Sequence, residues 1–136
     1  MSNFAKTTTV PVARTQNEIQ QVLVKYGATG FIFGQSGDKA MVGFEMRNRR
    51  IKFMLPVPKD VNDRHQAQLE RTRWRCLLLA IKAKLECAAS GITTFEQEFM
   101  AHIVMPDGLT VAEHLTPKIE SAYKTGQMPP LLGGRT

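Results

Sequence analysis

The residues best suited to chemistry in this chain are arginines. Arg47, Arg49 and Arg50 surround Asn48, and Arg71, Arg73 and Arg75 alternate with other residues further on. A guanidinium fork matches the geometry of a phosphate, and its plane can stack on a base. Both clusters fall in residues 39–84, which hold 12 Lys/Arg against 4 Asp/Glu, a net of +8, while the whole chain carries +6. The rest of the chain is therefore slightly acidic, and the cationic block implies an anionic partner. The bland reading of the same block is a solvated basic face.

Other reactive residue types form no recognisable set. His65, His102 and His114 lack a Cys, His or carboxylate at the close spacing of a zinc site. Glu96 and Glu98 lie two apart, so on a helix they point to different sides and make a poor metal pair. The adjacent Glu113 and His114 meet the same objection. The glycine-bearing turns 27–30 and 33–37 lack the Lys-Ser/Thr of a phosphate-cradling loop. Cys76 and Cys87 lie 11 apart in one expected helix, roughly 16 Å along its axis, too far to pair within it. They read as small reduced core residues, in keeping with a cytosolic protein. No catalytic residue, metal or cofactor is expected, and the chain is not read as an enzyme.

The chain has 136 residues, the usual size of one domain, and can bury a core without disulfides or metal. Its 43% hydrophobic and 22% charged content is ordinary for a globular protein. The N-terminus lacks the apolar centre of a signal peptide, and no run approaches a membrane span, so no membrane partner is expected.

The elements that must carry the arginines follow from periodicity. Residues 1–9 read as a disordered start, 10–126 as one α+β domain and 127–136 as an extended tail. Val10-Pro11-Val12 suggests a short edge strand. Thr15 with Glu18 suggests a capping box, opening a helix that runs to Tyr26 and stops at Gly27. A three-stranded antiparallel meander follows, from Phe31-Ile32-Phe33, Ala40–Met46 and Arg50–Leu55, with turns at Ser36-Gly37-Asp38 and Asn48-Arg49. In that register Met46 faces Ile51, Phe44 faces Phe53, Val42 faces Leu55 and Glu45 faces Lys52, while Phe33 lies beside Val42 and Phe31 beside Phe44. One sheet face is hydrophobic. The other carries Ile32, Gly34, Met41, Gly43, Glu45, Arg47, Arg50, Lys52 and Met54, and its glycines permit close approach by another backbone.

A long helix is expected from Asp63 to Ser90, capped by Asn62 and stopped by Gly91. It shows two apolar bands, one through Trp74, Leu77, Leu78, Ile81, Leu85 and Ala88, the other through Leu69, Cys76, Leu79, Ala80, Ala83 and Cys87. Two bands imply two packing partners, the sheet and the C-terminal helices. Arg64, Arg71, Arg75 and Lys82 form a narrow stripe between them, with Arg73 and Lys84 on the opposite seam. Thr93/Thr94 with Glu96/Gln97 open a third helix, and Thr110 with Glu113 a fourth that ends at Gly126. Pro117 should kink the fourth helix or start a new one after Thr116. The order helix, meander, helix also occurs in double-stranded-RNA-binding domains, but the long helix lacks their lysine cluster, and fold order alone does not give function.

These elements place Arg47, Arg49, Arg50 and Lys52 at a hairpin tip and on a sheet face, and Arg64, Arg71, Arg75 and Lys82 on a helix stripe. Together they form the candidate nucleic-acid-binding set, able to clamp or track phosphates. Free aromatic platforms are missing, since the phenylalanines and Trp74 are assigned to the core, so binding to DNA or RNA should be phosphate-dominated with little sequence specificity.

The segments Thr72-Arg73-Trp74-Arg75, Ala80–Glu86, Phe95-Glu96-Gln97-Glu98-Phe99, His102–Gly108 and Gly126–Leu132 give the chain a further likeness. Over most of residues 9–132 it resembles a family of small tailed-phage proteins without assigned activity. The resemblance implies a viral protein made in a bacterial cytoplasm and carries over no catalytic residue. Three roles then compete. The first is a phage accessory protein that binds nucleic acid in replication or recombination. The second is a host-directed inhibitor of a bacterial protein, such as a nuclease or defence complex. The third is a structural or virion-associated module that docks through the tail Met128–Leu132. A homo-oligomeric ring or filament would suit the structural role and a strand-annealing one.

Overall fold

A computed structural model describes residues 8–36 and 38–132. It has the α+β order expected: α1 (Val12–Lys25), β1 (Gly30–Ser36), β2 (Lys39–Met46), β3 (Arg49–Pro56), α2 (Asp63–Ala89), α3 (Phe95–Phe99), a 3₁₀ turn (Met100–His102) and α4 (Val111–Thr125). The sheet is an antiparallel meander in the order β1-β2-β3. The expected disordered start falls mostly outside the described residues, as do Gly37 of the first turn and the last four residues of the expected tail.

The inner sheet face is hydrophobic because residues alternate sides along each strand. Val42, Phe44, Met46, Ile51, Phe53 and Leu55 are buried there. α2 lays Trp74, Leu77, Leu78, Ile81 and Leu85 into the same core, and α1 adds Ile19 and Leu23. Phe99 of α3 is fully buried and closes the core. Its ring meets Phe44 and Phe53 edge-on, with centroids 5.8 and 6.2 Å away, and stacks on Phe95 at 4.8 Å. Such arrangements suit the ring quadrupoles.

Several expectations hold in detail. Asn62 caps α2 by accepting from the backbone N–H groups of Arg64 and His65. Of the overlapping pairs before α3, Thr94 with Gln97 forms the capping box, and Thr110 with Glu113 forms one at α4. Gly126 ends α4 at φ 74°, where a side chain would be strained, and donates to the Ala122 carbonyl. Phe31 and Phe33 pair with Phe44 and Val42 as the first turn predicts.

Four expectations are corrected. Val10-Pro11-Val12 is not a strand, because α1 already starts at Val12 and the Pro11 carbonyl accepts from the N–H groups of Arg14 and Thr15. Thr15 is accordingly not a cap. It lies inside α1, fully buried, and Glu18 turns to other partners. The second hairpin turn centres on Arg47-Asn48, not Asn48-Arg49. Both residues take positive φ, 52° and 61°, as a tight hairpin of the right twist requires. Moving the turn by one residue shifts the pairing by two, so the side chains keep their faces but change partners. Phe44 now pairs with Ile51, Val42 with Phe53, and Glu45 with Arg50 rather than Lys52.

The fourth correction concerns α2. Its second apolar band gains no covering layer: Ala80 and Ala83 are exposed, and Leu69, Cys76, Leu79 and Cys87 only half-buried. The C-terminal segment instead packs at the end of the core, through α3 and the 3₁₀ turn. Four of its six side chains are alanine or cysteine, which bury little area, so leaving the band open costs little. At Pro117 the second of the two expected outcomes, a new helix, does not occur. One helix runs through it from Val111 to Thr125, forgoing a single backbone hydrogen bond. Beyond α4 the tail folds back far enough for the Lys118 ammonium to donate to the Leu131 carbonyl at 3.0 Å.

Candidate nucleic-acid interface

The structure divides the eight expected cations into tied and free side chains. The hairpin tip is tied. Arg49 Nε donates to Glu96 Oε1 of α3 at 2.9 Å, and the Arg47 guanidinium lies 5.9 Å from the centre of the Phe95 ring. A cation over an aromatic face is attracted by the ring's quadrupole. These contacts fasten the strained tip to α3, and both arginines remain exposed at the surface.

The helix stripe is interrupted by α1. Arg75 Nη1 donates to Glu18 Oε2 at 2.6 Å, with side chains 20% and 30% exposed, and lies 3.5 Å from the Thr15 hydroxyl. Arg75 is thereby a strut between α1 and α2. Arg71 Nη2 donates to Gln68 Oε1 at 2.6 Å, while its Nε is buried without a partner among the described residues. Arg64 and Lys82 are exposed and form no ion pair there. They stand 18 positions apart on α2, roughly 27 Å along its axis, with Arg75 engaged between them. On the other seam Lys84 donates to the Glu98 carbonyl at 2.9 Å and lies over the Phe99 ring, and the Arg73 Nε is buried with no hydrogen-bond partner among the described residues.

The outer sheet face remains. Arg50 is exposed, and its side chain has no ion-pair partner among the described residues. Two residues on, Lys52 is 3.7 Å from Glu113 Oε1, a loose contact at a half-open position. Glu113 is already engaged as the capping residue of α4. The Thr110 backbone N–H and hydroxyl both donate to its carboxylate, and these bonds, with Lys52 nearby, hold its pKa below the ordinary 4.5. Beside the cations lies a shelf of exposed Ile32 and Met54 with half-buried Met41. Gly30, Gly43 and Gly108 line the same shallow cleft, of about 450 Å³. At Gly43 an added Cβ would meet Ile32 Cγ2 at 3.1 Å, so the close packing of this surface relies on glycine.

Lys39 also belongs to this face, since it alternates with Met41 and Gly43 along β2. The strand expected from Ala40 leaves it out, although the period-two pattern extends back to it. The tying partners Glu18, Glu96 and Glu113 had no such signal, because each is distant in sequence from the cation it meets. A larger cleft, about 640 Å³, lies between α1, the far end of β1 and α2. Its wall carries Asp38, Asp60 and Glu70 against Lys59, a charge balance that opposes phosphate.

His102 stacks on Phe53 with centroids 4.0 Å apart. Burial holds its pKa below the ordinary 6.5, helped by the nearby Lys84 charge. Among the described residues no group of three His, Cys, Asp or Glu side chains is placed to hold a metal ion, and no helix is long and apolar enough to cross a membrane. The chain matches no protein-family model, no curated protein and no solved structure.

Proposed function

We propose that this protein binds the backbone of a nucleic acid on the open face of its sheet, with Arg50 and Lys52 as the principal phosphate contacts and Lys39 on the same face. The observation that carries this reading is Arg50, an exposed guanidinium on a glycine-lined face that, although Glu45 lies opposite it in the ladder, forms no ion pair among the described residues. Arg47 and Arg49 border the face at the hairpin tip, and Arg64 and Lys82 lie outside it. A phosphate exchanges the loose Glu113 contact of Lys52 for a stronger charge-assisted one. Contacts of this kind position a backbone without reading bases, so specificity is low. In keeping with the resemblance to small tailed-phage proteins, the proposed setting is replication or recombination in a bacterial cytoplasm.

The test is binding of a random single- or double-stranded oligonucleotide at several salt concentrations. Affinity should fall linearly with salt on a log–log plot. Absence of binding at low salt would end this reading.

One observation favours a second reading. Ile32 is 59% and Met54 45% exposed beside the cations, and an apolar centre with a charged rim is the make-up of a protein interface. An acidic bacterial protein, such as a nuclease or defence complex, is the partner this reading proposes. A complex recovered from bacterial lysate after nuclease treatment, and lost in Ile32→Glu, would support it over the first.

A further inference from the structure

The two edges of the sheet are treated differently. At the β3 edge, the Val104 N–H donates to the Arg50 carbonyl at 2.8 Å and Ile103 bridges to Ile51, while Arg49, Arg50, Lys52 and Pro56 all lie along the strand. Charge, proline and a covering segment are the usual guards against edge-to-edge association. Among the described residues the β1 edge has none of them. Gly30–Ser36 contains no charged residue and no proline. It pairs only with β2, and no other backbone segment among the described residues hydrogen-bonds to it. In an edge strand, alternate N–H and C=O groups face away from the sheet. Beside that edge Ile32 is 59% and Phe31 37% exposed.

We infer that β1 pairs antiparallel with β1 of a second copy, about a two-fold axis at Ile32. In that register Ile32 faces Ile32 of the second copy, Phe31 faces its Phe33, and Gly30 faces its Gly34. The outer face then matches isoleucine to isoleucine and glycine to glycine, and the inner face matches ring to ring. Opposed apolar and aromatic pairs stabilise a ladder, and like charges directly opposite destabilise it. A two-fold axis sets each residue type against its own kind of environment, so a charge-free strand suits it. Pairing through β3 would gather the Arg49, Arg50 and Lys52 charges of both copies along one seam, on an edge that Ile103 and Val104 already partly occupy. This selects β1 as the edge and a second copy of the chain as its occupant. The product is a continuous six-stranded sheet, with the two β3 strands at its margins roughly 24 Å apart. The inference stands independently of nucleic-acid binding.

The full chain is tested by sedimentation equilibrium and by cross-linking. Wild type should reach twice the 15.2 kDa chain mass as concentration rises. Ile32→Lys puts two ammonium groups face to face at the axis and should raise the dissociation constant at least about tenfold, with the circular dichroism of the fold unchanged. Ile32→Cys places two thiols at paired positions, where strand geometry brings Cα atoms roughly 4.5–5.5 Å apart. Mild oxidation should then give a covalent dimer that wild type, with only Cys76 and Cys87, does not form. A wild type that stays monomeric at every concentration overturns the inference. So does an Ile32→Lys variant with the wild-type dissociation constant, or an Ile32→Cys variant that cross-links no more than wild type. Should Ile32→Lys fail to fold, the cysteine result decides.

Discussion

Arg75 and Arg50 have the same side chain and opposite circumstances. Arg75 sits where two helices meet, donating to Glu18 at 2.6 Å with one fifth of its side chain exposed. Arg50 lies on an open strand face with no ion-pair partner among the described residues. One cation contributes to the fold and the other is available to a ligand. A count of positive residues cannot tell them apart, because the difference depends on which carboxylate the fold brings within reach.

The largest effect on stability should follow removal of the Arg75 strut. Arg75→Ala leaves Glu18 half-covered beside α2 without its main partner. Hydrogen bonds to charged groups contribute about 1.5–3 kcal/mol, and chemical denaturation should show a loss in that range. Nucleic-acid affinity, measured where the variant is still folded, should stay near wild type. A large loss of affinity at unchanged stability would place Arg75 among the ligand contacts instead.

Arg49 is the intermediate case. Its bond to Glu96 is short, but the two side chains are 46% and 53% exposed. Exposed pairs contribute about 0.2–1 kcal/mol, so Arg49→Ala should cost no more than that. A double-mutant cycle with Glu96→Ala measures the coupling. Zero coupling would mean that the tip is held by Arg47 on Phe95 alone.

For Arg50 the stability effect should be near zero. Arg50→Ala should change the unfolding free energy by less than about 0.5 kcal/mol, as for other surface sites, while weakening binding. A clear loss of stability would show that this arginine has an internal role.

The smallest effect is visible only as a pH dependence. Burial lowers the His102 pKa below 6.5 in the folded state, so the unfolded chain binds more protons in that range. The stability due to neutral His102 is then fully present above pH 6.5 and declines as pH falls below it. Asp60, Asp107 and Glu113 are held below their ordinary values chiefly by backbone N–H donors. Their contribution is present above those values and declines at still lower pH. His102→Phe, which retains a ring on Phe53, should remove the first decline and leave the second. An unchanged profile would assign the first step to another group.

The comparison also shows what the sequence carries. Strand faces were legible because alternation is local, and so were Asn62, Thr94, Thr110 and Gly126, whose capping acts within a turn or two. The exact turn was not, since Arg47 takes a left-handed conformation that its residue type disfavours, accompanied by its own contact with Phe95 and by the Arg49–Glu96 bond. The start of α1 was misplaced because Thr15 has the chemistry of a cap, yet its burial against Arg75 is a tertiary fact. Of the candidate site, the cationic block was legible as composition. Its division into struts and free groups was not, because Glu18 and Arg75 lie 57 residues apart in sequence.

The most direct test of the proposed interface compares wild type with Arg50→Ala/Lys52→Ala, binding one oligonucleotide across a salt series. Each lost phosphate contact lowers the log–log slope by about 1. The double variant should therefore bind weakly at low salt with a slope reduced by about 2, while its unfolding transition matches wild type. Equal affinity and equal slope in the two proteins would contradict the assignment of Arg50 and Lys52 as the phosphate contacts.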